Sequence, residues 1–331
     1  MWLNQMENPE GPNGGRFPGG LFPLRRMGLW VVFVLVVTTA SLATVFLNRD
    51  ALRRFFFPSY LDRLEATPEE KIDIGIVALT LAKEFYPNIN VATYSKNIDD
   101  IAKRVSQKVN GSENPRTLFR AMYDIVLYPG EYAMDRSVDV DSLFEPAFLN
   151  KLLDTKLGNC VTMTTLYMAV AQRLGYPVFM VLAPGHLFLR YEPEKGDSFN
   201  LEIIRQGFLQ TDQDYIEDFS LTDKSIKSGG YLHTMTRREA AGILVFVNAQ
   251  AYLGRGDIEK AIKYGESSVK MNPLCPECYS QLKTSYQARS VLKGGRAGVR
   301  DFEMGERFGE QAKALGLMSI WETNAWKEKT R

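Results

Sequence analysis

Residues 152–191 decide the fold, and they read LLDTKLGNCVTMTTLYMAVAQRLGYPVFMVLAPGHLFLRY. After the Gly158-Asn159 pair, the run that begins at Cys160 is largely apolar and contains no proline or glycine until Gly175. This pattern predicts a buried helix with Gly175 as its C-cap, because glycine adopts the left-handed conformation that commonly ends a helix. Pro177 bars continuation, since proline lacks the backbone N–H that a helix interior needs.

Short extended runs follow this helix. Val178–Ala183 and His186–Tyr191 are rich in strand-forming residues, and the turn pair Pro184-Gly185 between them predicts a hairpin. Phe199–Ile204 predicts a third strand. Strands joined by short connections pair antiparallel. We therefore expect an α+β fold, mainly helical, with a small antiparallel sheet packed on the helix that begins at Cys160.

Three side chains of this segment suggest thiol chemistry. Cys160 lies where the helix begins, and the partial positive charge there favours a thiolate. Strand alternation places His186 and Glu202 on faces that can meet at Cys160, so Cys160 would attack, His186 would take the proton, and Glu202 would hold the imidazole. The backbone N–H of Cys160 would be one oxyanion donor, and Asn159 either a helper or only a helix cap. The competing interpretation of Cys160 is a small core residue.

The order helix-cysteine, strand-histidine, strand-acid resembles the transglutaminase-like proteins of the papain-like superfamily. More narrowly, residues 70–207 resemble the bacterial SirB-type transglutaminase-like family. The resemblance implies a thiol amidase, peptidase or acyltransferase that acts on protein or peptide amides. Glu202 departs from related enzymes, which usually have Asp there, and glutamate reaches one methylene further. The resemblance rests on four segments of the sequence. They are Gly158-Asn159 before the helix, Leu174–Val178 after it, Pro184–Tyr191, and Glu202 followed by Gly207.

The last third of the chain is predicted to be helical. Residues 243–273 resemble one tetratricopeptide repeat, a helix–turn–helix unit of about 34 residues, with a turn at Gly256-Asp257 and a proline at its end. Residues 276–315 can form two further helices. The SirB-type family often carries a helical repeat region after its first domain. One repeat cannot bury its own apolar face, so it should pack on its neighbours. Residues 236–331 are accordingly the expected binding region for a protein or peptide partner.

Cys275-Pro276-Glu277-Cys278 is a C-x-x-C motif. It is typical of a redox pair, of half a zinc site, or of two helix-turn cysteines that form a local disulfide. A four-ligand zinc site would have to borrow His233 or carboxylates, because the chain has three cysteines. The preferred interpretation is a structural one, either two helix-turn cysteines or a local disulfide. No metal and no cofactor is expected, and His233 is predicted to lie at the surface.

The region before Cys160 carries further helix signals. Thr67 can cap a helix, Pro68 suits its first turn, and Glu70 completes a capping box. The predicted helices span residues 67–85, 98–109, 115–127 and 145–156, with a loop at 128–141.

Residues 28–47 read GLWVVFVLVVTTASLATVFL, a run without charge that is long enough as a helix to cross a bilayer. Arginines flank it on both sides, so the positive-inside rule does not fix its orientation. The expectation is a single-pass membrane protein with a tail at 1–27, a lipid-embedded helix at 28–47 and an extracytoplasmic transglutaminase-like domain at 60–235. The alternatives are a cleaved signal peptide and a buried soluble helix.

The net charge of the chain gives no support for a nucleic-acid-binding function. The chain has 40 basic and 39 acidic residues, a net charge of +1, so the strong electrostatic case for nucleic-acid binding is missing. The leading hypothesis is a membrane-anchored enzyme with the triad Cys160, His186 and Glu202. The rival is a non-enzymatic membrane-bound scaffold whose repeat region binds a protein partner. A third option is a thiol-redox protein that uses Cys275 and Cys278.

Overall fold

A computed structural model describes residues 59–112, 114–127, 133–134, 148–203 and 208–318 of the chain. The predicted tail at 1–27 and the predicted membrane helix at 28–47 lie outside these residues, as does most of the predicted loop at 128–141. Within the described residues, no helix is both long enough and apolar enough to cross a membrane.

The chain from Tyr60 begins with helices that form one side of the core. Side-chain oxygens cap three of them, because Asp73, Asn90 and Asn114 each accept a backbone N–H of the first turn. A π-helical turn at Tyr123–Leu127 continues the fourth. These helices are α1 (Tyr60–Ala66), α2 (Ile74–Ala82), α3 (Val91–Val109) and α4 (Pro115–Met122).

The predicted helix start at Thr67 is wrong. Residues Glu69–Lys71 form only a 3₁₀ turn, and α2 begins five residues later with Asp73 as its cap. The neighbouring Glu69 makes a tertiary contact, because its carboxylate accepts the backbone N–H of Arg238, 3.2 Å from Oε2. The predicted capping box of Thr67 and Glu70 does not form: no side chain caps this turn, and the Thr67 hydroxyl donates instead to the Arg63 carbonyl at 2.8 Å.

The segment that carries Cys160 follows. Ala133–Met134 (β1) pairs parallel with Leu157–Gly158 (β2), and Leu149–Thr155 is helix α5. Helix α6 runs from Cys160 to Arg173, and Gly175 follows it at φ +76°, as the C-cap prediction required. Gln172 near the end of α6 fixes the start of α2, because its amide accepts the Ile74 N–H at 3.1 Å.

One antiparallel sheet follows α6, in the order β3-β4-β5-β6. The predicted hairpin is confirmed, and Ala183 pairs with His186 across the turn. The third strand ends at Glu202, two residues earlier than predicted, and a fourth strand follows. The strands are β3 (Val178–Ala183), β4 (His186–Tyr191), β5 (Phe199–Glu202) and β6 (Phe208–Gln210). The fold is α+β, mainly helical, and the sheet packs on α6.

Helices complete the chain after the sheet. The described residues from Tyr60 to Met318 form one compact unit, and one apolar core extends from Leu61 to Cys278. The Asn248 amide donates to the Leu81 carbonyl at 3.0 Å, which ties the late helices to α2. The helices are α7 (Asp212–Phe219), α8 (Asp223–Lys227), α9 (Arg237–Gly254), α10 (Ile258–Met271), α11 (Pro276–Lys293) and α12 (Gly295–Ala314).

Candidate active site

Cys160 is the first residue of α6, and the preceding residue builds the helix end around it. The Asn159 side-chain oxygen accepts the N–H of Val161 at 3.0 Å and that of Thr162 at 3.1 Å. The Thr162 hydroxyl in turn accepts the Asn159 N–H at 3.0 Å, which completes a capping box. Cys160 is partly exposed and is a free thiol. The helix therefore holds a free thiol at its positive end.

His186 is placed by the hairpin turn. Pro184-Gly185 connects β3 to β4, with Gly185 at φ +63°, and His186 is the first residue after the turn. Its side chain is 16% exposed. The Phe219 ring lies parallel to the imidazole, with ring centroids 5.8 Å apart. The ring is thus held between a fixed turn and an apolar wall.

Glu202 ends β5 and reaches the imidazole. Its Oε2 lies 2.7 Å from His186 Nε2, and the residue is 2% exposed. The longer reach of glutamate thus does not prevent the contact. Since Nε2 is engaged by the carboxylate, Nδ1 is the ring nitrogen left for the thiol. The structure therefore brings Cys160, His186 and Glu202 together.

Helix α7 supplies two residues that the sequence analysis missed. The Tyr215 hydroxyl donates to Glu202 Oε2 at 3.0 Å, and its ring stacks on Phe188 at a centroid distance of 3.8 Å. Phe219, four residues later on the same helix face, packs against His186. The available signal was this aromatic pair at helical spacing just after the acidic strand. Tyr215 is a positioning residue, because it acts through Glu202.

Electrostatics favour a thiolate–imidazolium pair. Burial raises the pKa of Cys160, but the hydrogen bond to His186, the imidazolium charge and the Leu187 backbone N–H together hold that pKa below its ordinary value. Burial lowers the pKa of His186, but hydrogen bonds to Cys160 and Glu202 and their negative charges raise it to about 10. Each partner therefore stabilises the charged form of the other.

The backbone N–H of Cys160 is a candidate oxyanion donor. The Cys160 N–H has no acceptor among the described residues, whereas the next two N–H groups bond to Asn159. It is therefore available to an oxygen on the carbonyl that Cys160 would attack. The Asn159 side-chain oxygen is engaged in capping α6, so only its amide NH₂ could act as the helper.

The remaining sequence candidates lie elsewhere. Cys275 and Cys278 are joined by a disulfide, which is one form of the preferred interpretation. His233 pairs with Glu239 at 3.1 Å and is 36% exposed. No group of three or more histidine, cysteine or acidic residues suited to a metal occurs in the part of the chain that the structure describes.

Part of the chain is similar to known proteins. The family model of the Transglutaminase-like superfamily matches residues 92–228, a range that includes the thiol, the imidazole, the carboxylate and helix α7. A UPF0162 protein of Xylella fastidiosa strain Temecula1 is 23% identical over 149 residues, which are 42% of this chain and 50% of the relative. A UPF0162 protein of strain 9a5c is 23% identical over 147 residues, 41% of this chain and 50% of the relative.

The chain thus spans about half the length of the curated relatives it matches. No solved structure matches it significantly.

Proposed function

We propose that the protein is a cysteine-dependent acyl-transfer enzyme that cleaves amides of proteins or peptides. The observation that carries this proposal is the grouping of Cys160, His186 and Glu202, with the imidazole bonded at Nε2 to a buried carboxylate and hydrogen-bonded to the thiol. A nucleophile beside a base that is itself oriented by a third group is the arrangement that covalent catalysis requires.

The steps follow from the positions of these groups. The Cys160 thiolate attacks the amide carbonyl carbon and forms a C–S bond, while the carbonyl π electrons move onto oxygen. The Cys160 N–H donates to that oxyanion. The His186 imidazolium gives its proton to the amine as the C–N bond breaks, leaving a thioester and a neutral imidazole. Water then loses a proton to His186 and attacks the thioester, and the acid leaves as the thiolate is restored.

Glu202 and Tyr215 keep the His186 ring in position throughout this cycle. In the cycle, His186 alternates between imidazolium and imidazole, and the Glu202 carboxylate holds the ring in one orientation in both states. The Tyr215 hydroxyl fixes the oxygen that contacts the ring. We infer hydrolysis in preference to cross-linking, because the sequence carries no sign of a dedicated site for a second amine substrate.

A non-enzymatic scaffold would not require Cys160 and His186 to be arranged for catalysis. An inherited fold without turnover would tolerate a fully buried Cys160 or a His186 that faces elsewhere. A histidine that contacts both the buried carboxylate and the thiol supports the enzyme instead.

Two further parts of the proposal rest on the sequence alone. Residues 28–47 would anchor the enzyme in a bilayer, with the catalytic domain on the extracytoplasmic side. The helical region 236–331 would bind a protein or peptide partner. Protease protection of sealed vesicles that carry the full chain tests the first, since exposure of the domain on the cytoplasmic side would contradict it.

Trapping the acyl-enzyme tests the central step. The full-length protein is mixed with a peptide bearing an activated acyl group, quenched in acid, and weighed as intact protein by mass spectrometry. The proposal predicts one acyl adduct that maps to Cys160, is lost in Cys160→Ala, and forms much more slowly in His186→Ala. Acylation at another residue, or equal acylation of the Cys160→Ala protein, would contradict it.

A further inference from the structure

The turn between helices α11 and α12 carries the most exposed large apolar side chains in the part of the chain that the structure describes. Val291 and Leu292, in the last turn of α11, are 84% and 74% exposed. Val299 and Phe302, in the first turns of α12, are 57% and 49% exposed. We define residues 291–302 as the hairpin tip. Exposed apolar side chains that lie this close together mark a surface that meets another apolar body.

The packing of the two helices explains why these side chains stay outside. Gly298, Gly305 and Gly309 lie on the side of α12 that faces α11, and all three are buried. A Cβ atom at Gly298 would come within 2.6 Å of the Ser290 carbonyl oxygen, and one at Gly309 within 2.7 Å of the Lys283 side chain. The two helices therefore approach each other through glycines, which leaves no room between them for the large apolar side chains near the tip.

The tip protrudes into open space. Gly294 and Gly295 form the turn at φ +57° and +51°, and apart from chain neighbours no atom lies within 4 Å of a Cβ built at either residue. Every residue from 291 to 297 is exposed. Peptides dock in grooves or along sheet edges, whereas a protruding apolar turn can enter the boundary between headgroups and acyl chains of a bilayer.

The charge around the tip is positive. Lys293, Arg296 and Arg300 are exposed, and the two arginines form no ion pair with another described residue. Asp301 is the one acidic residue of the tip in the sequence. It is 8% exposed and is paired with Arg289 and Lys293. Cations around exposed apolar side chains are complementary to acidic headgroups that lie over hydrocarbon.

The sequence supplies a reason for the tip to be near a bilayer. The proposed membrane anchor ends at residue 47, and the described chain begins at Ser59. Even fully extended, residues 48–58 span about 40 Å. A domain tethered this closely meets the bilayer at a high effective concentration, so that a contact of modest affinity is enough to hold it there.

We propose that the hairpin tip inserts into the surface of a bilayer with acidic headgroups, its apolar side chains in the interface and its cations on the phosphates. The inference rests on the proposed membrane location and is independent of the thiol chemistry. A second contact beside the anchor would fix how the catalytic unit faces the bilayer. It leaves the rest of the helical region to a protein or peptide partner.

The test places one fluorescent probe on the full-length, non-reduced protein in lipid vesicles. Val291→Cys in a Cys160→Ser background leaves a single thiol for an environment-sensitive dye, because the other two cysteines are joined. Thr284→Cys in the same background is the matched control. Thr284 is also exposed, and it lies on the same face of α11 about 10 Å further from the tip.

In vesicles rich in phosphatidylglycerol, the dye at position 291 should emit at shorter wavelength and be quenched by a spin-labelled lipid, whereas the dye at position 284 should do neither. Adding Arg296→Gln and Arg300→Gln should lower the insertion equilibrium constant about fivefold for each cation removed. All of these side chains are exposed, so the variants should fold as wild type does.

An unchanged spectrum at position 291 would overturn the inference, and so would equal changes at positions 291 and 284. A shift that needs no lipid and grows with protein concentration would also overturn it, because it would identify a second copy of the chain as the occupant. Flotation with phosphatidylcholine vesicles separates the two claims. A full chain that does not float with them would refute the anchor at residues 28–47, whatever the probe at the tip reports.

Discussion

Replacing Glu202 by Gln should sharply weaken the affinity of His186 for its proton. The pKa of His186 lies at about 10 against an ordinary 6.5, and one pKa unit corresponds to about 1.4 kcal/mol. The negative charges and hydrogen bonds of Cys160 and Glu202 therefore favour the imidazolium by roughly 5 kcal/mol, after the opposing effect of burial is subtracted. Cys160 and Glu202 both contribute, so losing the Glu202 charge should remove only part of this preference, on the order of tenfold to a hundredfold in proton affinity.

The glutamine keeps most of the geometry of the site. Its side-chain oxygen can still accept the Nε2–H, and the residue stays in the same buried position at the end of β5. The fall in the His186 pKa is therefore a charge effect. The pKa of Cys160 should rise at the same time, because the imidazolium that stabilises its thiolate is less populated.

Histidine-selective NMR measures this change directly. The chain has two histidines, so two ring signals are expected, and His233→Gln assigns them. Glu239→Gln is the matched control, because Glu239 pairs with His233 at 3.1 Å and should alter that signal alone. A His186 ring that titrates at its ordinary pKa in wild type, or the same titration in wild type and Glu202→Gln, would refute the reasoning.

Three further changes test other contacts in the structure. Tyr215→Phe removes the donor to Glu202 and should slow acyl-enzyme formation about fivefold, the equivalent of about 1 kcal/mol for one hydrogen bond; an unchanged rate in stopped-flow acylation would dismiss its positioning role. Asn159→Ala should lower the free energy of unfolding in urea by about 1 kcal/mol, while Asn159→Asp retains the cap; equal stabilities of the two would contradict the capping geometry. Glu277 ionises near 4.5 when unfolded and near 7 when folded, so the folded state binds more protons between these values and stability falls as pH rises through them. Glu277→Gln should lack this loss of about 3 kcal/mol, and parallel pH–stability curves for the two proteins would contradict the buried carboxyl.

The sequence predicted the elements that local signals determine. Gly175 and Pro177 end α6, and Pro184-Gly185 closes the hairpin, so the positions of the thiol and the imidazole followed from their neighbours. Strand alternation then placed Glu202 on the correct face. These signals act within a few residues, which is why they could be interpreted from one sequence.

The missed features depend on contacts between distant residues. The segment before α2 is tied to a distant part of the chain, since the Glu69 carboxylate accepts the Arg238 N–H at the N-terminus of α9, 169 residues away. Tyr215 belongs to no recognisable sequence motif, and its hydroxyl reaches Glu202 only because α7 packs against the sheet.

The most direct test of the central claim is the pKa of the Cys160 thiol, measured from the ultraviolet absorbance of its thiolate in the non-reduced full chain. The absorbance change on pH titration is taken as wild type minus Cys160→Ser, and the titration is repeated in a His186→Ala background. An activated nucleophile should form its thiolate well below the ordinary thiol pKa of about 8.5, and His186→Ala should raise that pKa. A thiolate that appears only at or above the ordinary pKa, with or without His186, would contradict the account.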